Sequence, residues 1–183
     1  MLIEIASELK NLNLTLEAST YSAVEYPKLI IGQLSRTVER SLKRVYARSY
    51  KDLAKAISKP TAENFHEWRK RVKYLRYHLQ VINPIWKDLV QTWVEQTHEL
   101  SDYLGEDHDL AVLKKFVSSQ PKRFDRDREL DFLIPPIEHR QKELRTAAIS
   151  LGKKNYTEKP KNFVRRLGNY WQVWPEENQQ VSR

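Results

Sequence analysis

Residues 65–77 read Phe65-His66-Glu67-Trp68-Arg69-Lys70-Arg71-Val72-Lys73-Tyr74-Leu75-Arg76-Tyr77. Set on a helix at about 100° per residue, the stretch separates into opposed faces. Phe65, Trp68, Val72 and Leu75 share one face, and Leu79 extends it. His66, Lys70, Lys73 and Tyr77 line the other, with Arg69 and Arg76 on its shoulder. One helix therefore carries a core stripe on one side and a row of cations on the other. Such a helix can fold and hold a polyanion at once.

The surrounding composition favours helices. Gly is scarce at 4 of 183 residues, and Leu, Lys, Glu, Arg and Ala are plentiful. The length suits one domain, with a short terminal extension. A 40% hydrophobic content suffices for a core, while 31% charged residues imply a highly charged surface. The absence of cysteine excludes disulfides and thiolate metal sites. The first residues, Met1-Leu2-Ile3-Glu4, place an acid where a signal peptide would have its basic and apolar regions. No run approaches the roughly 20 apolar residues of a membrane span. The expectation is a soluble, cytoplasmic protein without membrane insertion.

The net charge of +8 is unevenly spread. From Lys28 to Gln80 there are 14 basic and 4 acidic residues, a balance of +10. The remainder has 18 basic and 20 acidic residues, a balance of −2. The whole excess thus lies in two consecutive helical segments. Nucleic acid, polyphosphate and anionic lipid are all partners of so concentrated a charge.

Hydrophobic spacing predicts seven helices in an all-α, antiparallel bundle. The first spans about 2–18, with Leu2, Ile5, Leu9, Leu12 and Leu16 in phase, and Ser19–Glu25 forms a linker. With Pro27 in its first turn, a long helix runs to about Ser58. Ile31, Leu34, Val38, Leu42 and Val45 form its apolar face; Arg36, Arg40, Lys43 and Arg44 lie opposite. Thr61 is placed to cap the 62–82 helix, and Asn83-Pro84 marks a corner. The next helix, about 85–104, uses Trp86, Leu89, Val90, Trp93, Val94, Leu100 and Leu104 for packing. Gly105 is expected to stop it, and Asp107 to cap a short helix over about 108–118. Helices over about 126–153, kinked or restarted at Pro135-Pro136, and from Lys161 to about Trp174 complete the set. This reading divides the chain into 1–26 (helix and linker), 27–174 (the helical domain) and 175–183 (a disordered polar tail).

Two constellations carry chemistry. Each Lys or Arg that meets a phosphate releases counterions, and Arg adds planar bidentate contacts. Helix positions three and four apart lie about 5–6 Å from one another, so a helical row can track a phosphate chain. A solvated surface usually mixes both signs; across both basic helices only Glu39, Asp52, Glu63 and Glu67 intervene. His66 within such a row is a donor that strengthens below its pKa. The second constellation is Leu104-Gly105-Glu106-Asp107-His108-Asp109-Leu110. Its acids and histidine are adjacent rather than spaced by three or four, which suits a structural corner better than a metal site. Asp109 pairing with a basic helix is the expectation there.

The string His66-x-x-Arg69-Lys70-x-x-Lys73-x-x-Arg76-Tyr77, followed by Leu104-Gly105-x-x-x-Asp109-Leu110, resembles the CHAD family, the conserved histidine α-helical domain. The end, Lys159-Pro160-Lys161-x-Phe163-x-x-Arg166-Leu167 with Trp171, is similar to that family's end, so the resemblance covers about 30–174. It implies basic helices lining a channel that binds inorganic polyphosphate without known catalysis; no cofactor and no metal are expected. By position it implies that His66, Arg69, Lys70, Lys73, Arg76 and Tyr77 contact phosphates, with Gly105 and Asp109 in the corner. Family members usually carry two such repeats. This chain shows one and looks like either the second repeat plus the end of the first or a naturally short member; either the channel is half-built or a homodimer or another CHAD-like chain completes it. The alternatives are a nucleic-acid-binding helical protein on the same surface and, below it, a phosphate ester or anhydride hydrolase. No base-reading motif is visible.

Overall fold

A computed structural model describes the backbone of residues 25–120 and 129–180, and the side chains of 36–83, 85–120 and 130–173. The predicted 2–18 helix and its linker lie outside the described residues. The chain divides into two compact units, Met1–Val38 and Glu39–Arg183. In the first, the described residues are helical. All packing described below belongs to the second.

Among the described residues there are five α-helices and one 3-10 turn, and no strand. They are α1 (Glu25–Ser58), α2 (Ala62–Ile82), the turn Asn83–Ile85, α3 (Lys87–Ser118), α4 (Glu129–Asn155) and α5 (Pro160–Gln180). Thr61 caps α2 as expected, its hydroxyl accepting from the Asn64 amide at 3.3 Å. Asn83-Pro84 forms the turn between α2 and α3.

Of the seven predicted helices, 2–18 lies outside the described residues, and 85–104 and 108–118 are a single helix because α3 runs unbroken through Gly105. A glycine inside a helix costs only about 1 kcal/mol relative to alanine. Burial on both sides of it outweighs that: Leu100, Leu104, Asp107 and Val117 are all buried on α3. Asp107, expected as a cap, lies inside the helix. Likewise α4 is one helix although Pro135 and Pro136 sit within it. The backbone of α5 continues to Gln180, past Pro175, where a polar tail was expected to begin.

Helices α1 to α4 run antiparallel to their neighbours in sequence. Ser41 meets His78 and Asp52 meets Arg71 between α1 and α2. Glu106 meets Arg140 and Lys114 meets Glu138 between α3 and α4. Helix α5 closes the bundle: Phe163 stacks on Tyr46 of α1 at 4.0 Å and tilts against Trp93 of α3 at 5.5 Å. Tyr46 also donates its hydroxyl to the Glu158 carbonyl at 3.0 Å, fixing the α4–α5 connection to α1. Trp86 departs from its predicted packing role. It is exposed and meets Tyr170 edge-on at 4.8 Å.

The core is the predicted apolar face of α2. Phe65, Trp68, Val72, Leu75 and Leu79 are all buried, Trp68 and Val72 completely. On α1, Leu42 and Val45 are buried, joined by Tyr46, Leu53 and Ala56. The Trp68 indole reaches across to α4. A Cβ added at Gly152 would stand 2.6 Å from Trp68 Cζ2 and 3.3 Å from Leu53 Cδ1. Gly152 therefore provides the space that the largest core side chain occupies. Gly152→Ala should destabilise the fold by about 1–3 kcal/mol, the usual range for overpacking. Urea unfolding against the parent chain measures this; an unchanged midpoint would show that the indole moves aside freely.

Candidate anion-binding site

The rotation that buries Trp68 gives α2 two edges. The edge toward α1 is neutralised. Arg71 Nε lies 3.5 Å from Asp52, and its guanidinium reaches Glu67 at 4.0 Å. Lys70 turns to Glu67 at 2.5 Å, and this contact holds the exposed Glu67 carboxyl below its usual range. His78 belongs to this edge as well. Its Nδ1 lies 2.8 Å from the Tyr74 carbonyl, which can only accept, so Nδ1 carries the proton. In the neutral ring Nε2 then accepts from the Ser41 hydroxyl at 2.9 Å.

The opposite edge carries His66, Arg69, Lys73 and Arg76, and its His66 and Arg69 meet α3. The His66 ring stacks on His108 of α3, with centroids 4.4 Å apart and planes tilted by 31°. One turn further along α2, the Arg69 guanidinium lies over Gly105, where a Cβ would be 3.5 Å from Nε. Among the described residues no carboxylate pairs with Arg69, Lys73 or Arg76. His66 Nδ1, Arg69 Nε and Arg76 Nε are buried atoms without a hydrogen-bond partner. Each of these side chains therefore has its inner atoms held against protein and its outer nitrogens left for an external acceptor. His66 is kept below the usual histidine range. Partial burial of the ring is the largest cause, and the positive charges of His108 and Lys70 add to it.

The predicted site residues are thus sorted by position. His66, Arg69, Lys73 and Arg76 form one row. Lys70 is turned toward Glu67, and Tyr77 is 45% exposed on the outer surface. Arg40, Lys43 and Arg44 are exposed on α1, but the seam between α1 and α2 is filled by Ser41, Asp52, Arg71 and His78. The two cationic faces do not confront each other across that seam. Arg36, in the first unit, is exposed.

The 104–110 segment is corrected most. It is continuous helix rather than a corner, and Asp109 is exposed without a basic partner among the described residues. Gly105 instead admits Arg69. The acid that ties helices together is Asp107, only 1% exposed. It accepts from Arg145 Nε at 2.7 Å and Gln141 Nε2 at 3.2 Å, both on α4. Arg145 also donates to the Pro60 carbonyl at 3.3 Å and lies 4.7 Å over the Phe65 ring. Burial raises the Asp107 pKa, and the Arg145 and Gln141 hydrogen bonds oppose the rise. From sequence His108 was weighed only as a metal ligand beside Asp109 and not as a neighbour of the cationic row; its spacing of three from Gly105 on the same helical face was the available signal. Among the described residues no three His, Asp or Glu side chains converge on a metal-sized site. None of the helices searched is long and apolar enough to cross a membrane.

A family model for the CHAD domain matches residues 6–118. The match covers more than half of the chain, and the protein belongs to that family. It takes in α1, α2 and α3 and stops where α3 ends. The Lys159–Trp171 segment that resembled the family's end lies outside it. Comparison with curated proteins returns no match, and comparison with solved structures returns none.

Removing the Asp107 carboxylate leaves the Arg145 charge half-buried and unpaired. Asp107→Ala should cost about 3–5 kcal/mol, whereas Asp109→Ala should stay within about 0.5 kcal/mol. Denaturant midpoints of the two variants decide which acid holds the helices. Equal effects would return the role to both.

Proposed function

We propose that this protein binds inorganic polyphosphate, or a closely similar polyanion, along the α2 edge that faces α3, and that it does so without catalysis. The carrying observation is the row His66, Arg69, Lys73, Arg76, free of carboxylate partners among the described residues, in a chain of the CHAD family. From His66 to Arg76 the row covers about 15 Å of helix. Its spacings of three and four set neighbouring cations about 5–6 Å apart, close to the separation of every second phosphate along an extended polyphosphate chain. Arg69 and Arg76, with their Nε atoms turned inward, offer their terminal nitrogens, and Lys73 adds a mobile point charge. The cations of α1 act in this reading as a separate surface that raises the local field rather than as the facing wall. A single row makes one wall, and a second copy of the chain supplies the other.

The measurement is polyphosphate affinity as a function of salt. Arg69→Ala, Lys73→Ala and Arg76→Ala combined should weaken binding by at least about tenfold. The combined variant should also flatten the slope of log affinity against log salt by about 2, near 0.7 for each phosphate it no longer neutralises. Lys70→Ala, already paired with Glu67, should lose less. Intact affinity in the triple variant would move the site elsewhere. RNA of equal charge that displaced polyphosphate at equimolar concentration would favour a nucleic-acid partner. Release of inorganic phosphate, with or without a divalent metal, would make the protein an enzyme. Light scattering at micromolar protein should show a dimer; a monomer that still binds polyphosphate would dispense with the second wall.

A further inference from the structure

His66 and His108 come from different helices, yet their rings stack at 4.4 Å at one end of the cationic row. They are not equivalent. His66 Nδ1 is buried with no hydrogen-bond partner. A proton there would be an N–H without an acceptor, so the neutral ring keeps its proton on Nε2 and donates from that atom. The charged groups around the pair are mostly cationic or already engaged. On α2 these are Arg69, Lys70 and Glu67, the last bound to Lys70. On α3, Glu106 is held by Arg140 and Asp107 by Arg145, while Asp109 is exposed and makes no ion pair among the described residues. Asp107 feels the His108 charge, but its carboxylate is already held by Arg145 and Gln141, so apart from the exposed Asp109 no uncommitted carboxylate among the described residues is left for a second charge at the stack. An anion laid along the row would supply the negative charge.

We infer that the His66–His108 stack is a proton-coupled part of the anion site, taking up one proton when a phosphate chain binds, with His108 as its carrier and His66 as the neutral donor beside it. The inference rests on the proposed polyphosphate reading and adds a residue and a regulation to it. An imidazolium on His108 faces the π-surface of His66 on one side and phosphate oxygens on the other. Without the anion the carboxylate that feels the same proton is Asp107, whose charge is already engaged by Arg145 and Gln141. The bound state thus holds the proton more tightly than the free state, and linkage requires affinity to rise as pH falls through the histidine range.

Long-chain polyphosphate is the probe, because its internal phosphates stay ionised and only its ends titrate near neutrality. Affinity at pH 6 should exceed that at pH 8 by about tenfold. Calorimetry in two buffers of different ionisation enthalpy should show proton uptake approaching one per site. His108→Gln should abolish both the rise and the uptake, while His139→Gln, on an exposed face of α4, keeps them. Equal affinities at the two pH values, or a His108→Gln variant that retains the rise, would overturn the coupling and leave polyphosphate binding standing. Absence of binding at either pH would overturn both. Proton uptake measured on the parent chain decides the matter even if His108→Gln folds poorly.

Discussion

The contact between Trp68 and Gly152 sets the rotation of α2, and the remaining geometry follows from it. Trp68 is fully buried, and the space it fills exists only because position 152 lacks a Cβ. On a helix that turns about 100° per residue, fixing one side chain fixes the direction of every other. With Trp68 inward, Arg71 and Glu67 turn to α1, and His66 and Arg69 turn to α3. A small rotation either way would bring the row nearer the carboxylates of the α1 seam or carry its arginines further from α3. The energy that enforces this orientation is apolar burial, worth about 25 cal/mol per Å². The cations gain their positions from a core to which they contribute little.

A second constraint joins the helices end to end. Asp107, Gln141 and Arg145 connect α3 to α4, and Arg145 continues to the Pro60 carbonyl and the Phe65 ring at the start of α2. A buried carboxylate is costly alone and tolerable when paired and hydrogen-bonded. The same segment of α3 presents Gly105 and His108 to α2. Asp107 thus holds, from the side facing α4, the stretch whose other side borders the cationic row. The family match ends at residue 118, yet α4 contributes the partners that fix this stretch.

Much of the architecture was legible in the sequence because it rests on periodicity. The apolar face of α2, the Thr61 cap and the Asn83-Pro84 turn need only local spacing and local hydrogen bonds. Gly105 was misjudged for a matching reason. Its helix-breaking tendency is a local quantity of about 1 kcal/mol, and burial along α3 exceeds it. Asp107 and Asp109 look alike to any local rule; which one is buried depends on α4, whose partner residues lie far along the chain. Lys70 and Lys73 are already separated locally, because Glu67 stands three residues before Lys70 on α2 and pairs with it. Which edge of α2 meets Asp52 and which meets α3 is not local.

The sequence by itself determined that the protein is helical, that its positive charge is concentrated between residues 28 and 80, and that one helix carries core and cations on opposite faces. These follow from composition and from the 3.6-residue period, which tertiary contacts do not alter. Tertiary structure alone decided that Arg71 meets Asp52, that Gly105 receives Arg69, and that His66 meets His108. Those outcomes depend on the rotation and register of helices packed side by side. Both are set by the shapes of buried side chains distant in sequence, which no local pattern encodes.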